Sequence, residues 1–168
     1  KVATLTVELE QLIKKAKERG IDVEDLLLTA LSKSDPEETS KMRLEAASEF
    51  LSEMEEYLKE GNAVQASEKA YKVAEELVKA LAERFRTPEY LHAVSEGRWT
   101  AYDLGKAAGR LAKTLGDWVL SGWSSAYFLH VWGFHEGKLT VEDLAPYVEE
   151  IRRMYDGARK AFGKGDAN

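Results

Sequence analysis

The sequence predicts an all-α helical bundle built on a long antiparallel helix hairpin, and three observations predict it. Apolar residues recur at three- and four-residue spacing along nearly the whole chain, while the two-residue alternation of strands never persists. Helix start and stop signals punctuate those periodic stretches. The 168 residues, 44% hydrophobic and 32% charged, suit one globular domain that folds without disulfides or metals.

The elements follow in order. A first helix carries Leu9, Leu12, Ile13 and Ala16 on one face and stops at Gly20. A short second helix starts at Asp22 and is expected to turn Leu26, Leu27 and Leu31 inward. Asp35 then caps a long third helix, with Pro36 at its first position and Glu38 in its acid-favouring first turn. Its stripe is Leu44, Ala47, Phe50, Leu51, Met54, Tyr57 and Leu58. Gly61 breaks it and Asn62 caps a fourth helix, which buries Ala66, Ala70, Val73, Ala74, Leu77, Val78 and Leu81. The small residues of that stripe admit a close neighbour, so the third and fourth helices should form the hairpin.

Thr87-Pro88 restarts the chain in a short helix ending near Gly97. Thr100 with Asp103 resembles a capping box, ahead of Leu104, Ala107, Ala108, Leu111 and Leu115. Thr140 with Asp143 opens the last helix, which carries Leu144, Tyr147, Val148, Ile151, Tyr155, Ala158 and Phe162. The expected organisation is a helical appendage at 1–34, a bundle at 35–162 and a frayed tail at 163–168.

Between these lies the most unusual stretch, residues 118–134, which hold no formally charged side chain. It is shorter than the roughly 20 apolar residues of a membrane span, and serines, glycines and a histidine interrupt it. No membrane association is expected. The simpler expectation is a helix surrounded on all sides by the bundle. Trp118, Trp123 and Trp132 are more aromatic surface than a small core usually takes, so a homodimer interface is expected there.

The net charge of −6 argues against a general nucleic-acid coat. Residues 84–115 nonetheless carry six basic side chains against three acidic ones. Within that stretch Arg98, Lys106, Arg110 and Lys113 are the candidate phosphate contacts; the last three share one helix face. Elsewhere acids and bases on the helices read mostly as pairs, such as Glu55 with Lys59 and Glu75 with Lys79. The absence of cysteine excludes thiolate chemistry, and no glycine-rich phosphate loop occurs. Asn and Gln number two each beside abundant charge, which points to a thermophilic source. With no signal-peptide pattern at the start of the sequence, a cytoplasmic location is expected.

His130 and His135 are the candidate acid–base or phosphate-donor groups, because imidazole changes protonation near neutral pH. Trp132 and Glu136 are the supporting residues. Five-residue spacing puts the two histidines about 140° apart on an α-helix, which disfavours a zinc pair, although Gly133 could bend the chain. No metal or other cofactor is expected. Core or helix-end hydrogen bonding is the structural alternative for both histidines. Arg86 and His92 form a looser pair of the kind that could hold a phosphate and move a proton, but Pro88 makes a helix restart the simpler meaning.

Two stretches resemble the archaeal repetitive-protein family called PaREP, in its first-numbered branch. One runs Tyr57-Leu58-Lys59-Glu60-Gly61-Asn62 and on to Glu76; the other runs Gly116-Asp117-Trp118 and on through Leu129-His130-Val131-Trp132-Gly133-Phe134-His135-Glu136. That family comprises small proteins of heat-loving archaea and is similar to the broader HEPN group of helical bundles. The resemblance implies a module that binds nucleotide, RNA or a protein partner and often dimerises. Active HEPN members are metal-independent ribonucleases of toxin–antitoxin or defence systems, using an arginine, a polar residue after it and a later histidine. Here His135 matches the histidine and His130 the polar position, while Leu129 stands where the arginine belongs. The resemblance therefore implies a non-catalytic HEPN-like binding module. A metal-independent ribonuclease and a purely structural homo-oligomer are the alternatives, which RNA cleavage and salt-dependent RNA binding would tell apart.

Overall fold

The structure, a computed structural model, describes residues 6–165. Its helices are α1 (Leu9–Glu18), α2 (Val23–Ser32), α3 (Pro36–Lys59), α4 (Ala63–Arg84), α5 (Pro88–Glu96), α6 (Ala101–Leu115), α7 (Trp118–Phe128) and α8 (Val141–Gly165). A π-helical turn, Leu129–His135, continues α7. Among the described residues there is no strand, and no helix is long and apolar enough to cross a membrane.

Local chemistry sets the helix ends as the sequence predicts. The side chains of Asp22, Asp35, Asn62, Thr87 and Thr100 each accept a hydrogen bond from the amide three residues on. At α8 the capping box is reciprocal: the Thr140 amide donates to Asp143 and the Asp143 amide to Thr140. Backbone and side-chain donation from Thr140 holds the Asp143 carboxyl below its usual range.

α3 and α4 pair as the antiparallel hairpin, turned by Gly61 and Asn62. The surrounded helix of the bundle is α4, not the segment 118–134. All seven residues predicted for the α4 core are fully buried, and α3, α6, α7, the π turn and α8 all pack on α4. α7 buries Val119, Trp123 and Ala126 but leaves Leu120 and Tyr127 exposed. Its lack of charge thus reflects serines and half-exposed rings, not burial on every side. Trp118 is half-buried, and of the three tryptophans only Trp132 is exposed, at 42%.

The appendage departs most from expectation. α2 turns Thr29 and Ser32 inward and leaves Leu26, Leu27 and Leu31 about half exposed. Its polar face is drawn in by charged groups on α3 and α4. α1 buries no residue at all. At the other end α8 continues through Gly165, and the remainder of the predicted tail, 166–168, lies outside the described residues.

α4 ends in a Schellman motif, in which the Thr87 amide donates to Ala82 O and the Arg86 amide to Glu83 O. Arg86 occupies the left-handed position with φ of 50°, where glycine is usual. An arginine there costs on the order of 1 kcal/mol.

Candidate functional site

The π turn brings His130 and His135 together. A π turn closes from i to i+5, so residues five apart stack where α-helical geometry would separate them. The Glu136 amide donates to Val131 O at 2.9 Å, one such wide turn. Gly133 faces α4 within the turn, where a Cβ would overlap the Ser67 side chain. The chain can approach α4 this closely only with glycine at that position.

The two imidazoles meet at Nε2, 3.0 Å apart, with ring planes 81° to one another. On its other side His130 Nδ1 lies 3.2 Å from Glu68 Oε2 of α4. A carboxylate only accepts, so His130 Nδ1 carries the proton and donates it to Glu68. In neutral His130 the Nε2 lone pair then accepts from His135 Nε2–H. That fixes both tautomers and leaves Nδ1 of exposed His135 as the one ring nitrogen of the pair not engaged in the relay. The Glu68 charge is thereby coupled through two hydrogen bonds to an exposed imidazole.

Tyr71, one α4 turn beyond Glu68, stacks on His130 with ring centroids 3.9 Å apart. Burial, and next the carboxylates of Glu75 and Glu68, push its hydroxyl well above the usual tyrosine range, so it stays protonated. Stacking and the Glu68 bond hold His130 rigidly, while His135 is exposed. Glu68 and Tyr71 were not singled out in the sequence. The signal that finds them is the pairing of the two family-like stretches: the first contains both residues, the second both histidines, and the fold packs one on the other.

Trp132 and Glu136 stand apart from this relay. Lys138 lies over the Trp132 ring at 5.7 Å, and Glu136 is exposed with no side-chain bond to either histidine among the described residues. The candidate cations do not gather at His135 either. Lys106 lies 5.1 Å over the Tyr102 ring, and both line an open groove with Trp123 and Tyr127. That groove adjoins the relay through Tyr127, whose ring is 6.5 Å from His130. Arg110 donates from Nε to buried Glu89 at 2.9 Å. Arg98 and Lys113 are exposed. His92 bonds to buried Asp103 at 3.2 Å and lines a small hollow with Lys106 and Arg110, whereas Arg86 opens into a different cavity.

A second polar assembly, also missed in the sequence, lies at the other end of α4. The Arg43 side chain is fully buried. It donates from Nε to Glu83 at 2.5 Å, from Nη1 to Asp25 at 2.8 Å and Glu76 at 3.1 Å, and from Nη2 to Thr29 at 3.2 Å. Lys79 donates to Asp25 at 2.8 Å and lies 3.6 Å from Glu75, so the expected pair forms, with Lys79 buried as a hub of the network. Glu55 pairs with Arg152, at 2.7 and 2.8 Å. Burial works against the Arg43 charge, but Glu76, Glu83 and Asp25 outweigh it and raise its pKa. Burial also raises Glu76, more than Lys79 and Arg43 pull it down, and Glu83, more than Arg43 and the Thr39 hydrogen bond pull it down. At Asp25 burial is outweighed by Lys79 and Arg43, and its carboxyl is lowered. Asp25, Thr29 and Ser32 are thus the reason α2 faces inward with its polar side; Ser32 O accepts from the Tyr90 hydroxyl at 2.9 Å.

The fold defines an all-α helical-bundle protein. It belongs to the archaeal PaREP1/PaREP8 family, whose model matches residues 42–155, from α3 into α8 and including the whole relay. The chain is also similar to a crystal structure of a Sulfolobus solfataricus protein, with 35% identity and a TM-score of 0.63 over 68% of this chain and 93% of that one. No curated protein matches it.

Proposed function

We propose that this chain is a non-catalytic, HEPN-like module that binds single-stranded RNA across α6, α7 and the π turn. The carrying observation is the run of rings on that face. Tyr102 is 73% exposed beneath Lys106, and Tyr127 leads from the same groove to His130 and His135. Exposed rings accept bases of any sequence, and neighbouring cations meet the phosphates. Exposed His135 offers a further polar contact to the strand on the same face. Leu129, fully buried, stands where the resemblance requires an arginine, so the relay lacks a cation to hold a scissile phosphate and favours binding over cleavage.

In this reading the protein works in the cytoplasm of a heat-adapted archaeon, as a two-fold homodimer. Light scattering at tens of micromolar, roughly the range where real interfaces persist, checks the dimer. The test of binding is fluorescence anisotropy with a labelled RNA oligonucleotide across a salt series. Affinity should fall steeply with salt and weaken about tenfold in Tyr102→Ala. Salt-independent or absent binding would refute the reading.

The Glu68–His130–His135 hydrogen bonds favour one second reading, a metal-independent ribonuclease with His135 as general base. RNA cleavage in the presence of chelator, abolished in folded His135→Ala, would establish it.

A further inference from the structure

A cavity of about 870 Å³ lies where the ends of α4 and α6 meet the start of α7 and the second half of α8, away from the relay. Its wall includes Phe85, Arg86, Trp118 and Lys160. Arg86 and Lys160 are exposed, and neither makes an ion pair or hydrogen bond through its side chain among the described residues. The two carboxylates on the wall are engaged elsewhere: Glu83 by Arg43 and Thr39, and Glu37 by Lys41 at 3.8 Å. Arg86 and Lys160 thus face the cavity with neither paired to a carboxylate among the described residues.

The apolar side of the cavity is built with equal care. Trp118 Nε1 donates to Leu115 O at 3.0 Å, which fixes the indole. Gly157 lies under that ring so closely that a Cβ would sit 2.5–2.8 Å from its atoms, and a Cβ on Gly116 would sit 2.9 Å away. The Phe85 ring stays 48% exposed on the same wall. An adjoining hollow of about 300 Å³ shares Phe85 and Arg86. Arg86 is also the one described non-glycine residue with positive φ, at a helix end where glycine relieves the strain.

We infer that this cavity binds a small organic phosphate with a flat apolar body, the phosphate held by Arg86 and Lys160 and the body lying against Trp118 and Phe85. The guanidinium and ammonium supply charge-assisted donors to the phosphate oxygens, and the two rings supply the dry surface for the body. The left-handed Arg86 is retained because a glycine would fit the backbone better but carry no cation. This site is independent of the RNA-binding reading, since it shares no residue with the relay or its groove.

The test is isothermal titration calorimetry with 1-naphthyl phosphate, beside inorganic phosphate and 1-naphthol. Binding of 1-naphthyl phosphate with a Kd below about 1 mM is expected, at least tenfold tighter than either fragment. Arg86→Gly should weaken it at least tenfold while leaving the melting temperature unchanged or higher. Lys160→Ala, on the exposed surface, should weaken it severalfold. No binding of 1-naphthyl phosphate at millimolar concentration would overturn the proposal, as would undiminished binding in both variants. Equal affinity for 1-naphthol would do so as well, because the cations would then have no part.

Discussion

The two ends of α4 solve the problem of interior polar groups in opposite ways. Toward its C-terminal end, Glu76, Lys79 and Glu83 meet Arg43 and Asp25 in a largely buried network packed between α4, α2 and α3. Toward its N-terminal end, Glu68 starts a chain of two hydrogen bonds that finishes at an exposed imidazole. A closed network spends its hydrogen bonds on holding the fold. An open relay leaves one nitrogen for something outside the molecule. On the proposed reading the difference separates structure from function along a single helix, and it can be broken experimentally at either end.

The largest effect is expected from Arg43→Met. It leaves Glu83, Glu76 and Asp25 without their shared cation, at a cost of about 3–5 kcal/mol for a broken buried pair. Urea unfolding measures it. A loss below about 1 kcal/mol would mean that the network contributes little.

Gly133→Ala comes next. The new methyl meets Ser67, and overpacking of this kind costs about 1–3 kcal/mol. Adding Ser67→Gly should recover much of that loss, a coupling that a double-mutant cycle reads directly. RNA binding should weaken along with stability in Gly133→Ala, because the π turn carries the histidines.

A smaller effect is the pH profile. Burial raises Glu76 and Glu83, so the folded chain takes up protons before the unfolded one. Acidification from neutral toward the unfolded glutamate value, about 4.3, therefore adds stability. Asp25 and Glu55 run the other way: Lys79 and Arg43 lower the first against its burial, and the Arg152 hydrogen bond lowers the second. Their contribution is present above the unfolded values and is lost as pH falls through the folded ones. Thermal melts should thus peak at acid pH, around the unfolded carboxylate values of about 4, and decline as the pH falls further. A peak at or above neutral would contradict the assigned directions, and Glu76→Gln should flatten the rise.

These regions also differ in how much of them the sequence discloses. Helix ends were legible because caps act within four residues, as Asp35, Asn62 and Thr140 illustrate. The α4 core was legible because its small apolar residues keep one stripe. The Arg43 network was not, since its members come from three helices and each looks like a surface charge alone. Glu76, Lys79 and Glu83 do fall on the core side of α4, which is the one trace of the network in the sequence pattern. The inverted α2 follows from the same blind spot: three leucines argued for burial, and partners on other helices decided otherwise. At the relay the histidines are legible but not their meeting, because an α-helical period separates residues five apart and this stretch winds as a π turn.

The smallest expected change in stability belongs to His135→Ala, within about 0.5 kcal/mol, because the ring is exposed. Its effect on binding is the most direct test of the contrast between the two ends. Anisotropy of a labelled single-stranded RNA, measured at low salt, should give binding by the parent chain and at least tenfold weaker binding by His135→Ala, with melting temperature unchanged. Glu76→Gln, at the closed end, should bind as the parent does. Failure of the parent to bind, equal affinity in His135→Ala, or an equal loss in Glu76→Gln would contradict the assignment of function to the open end of α4.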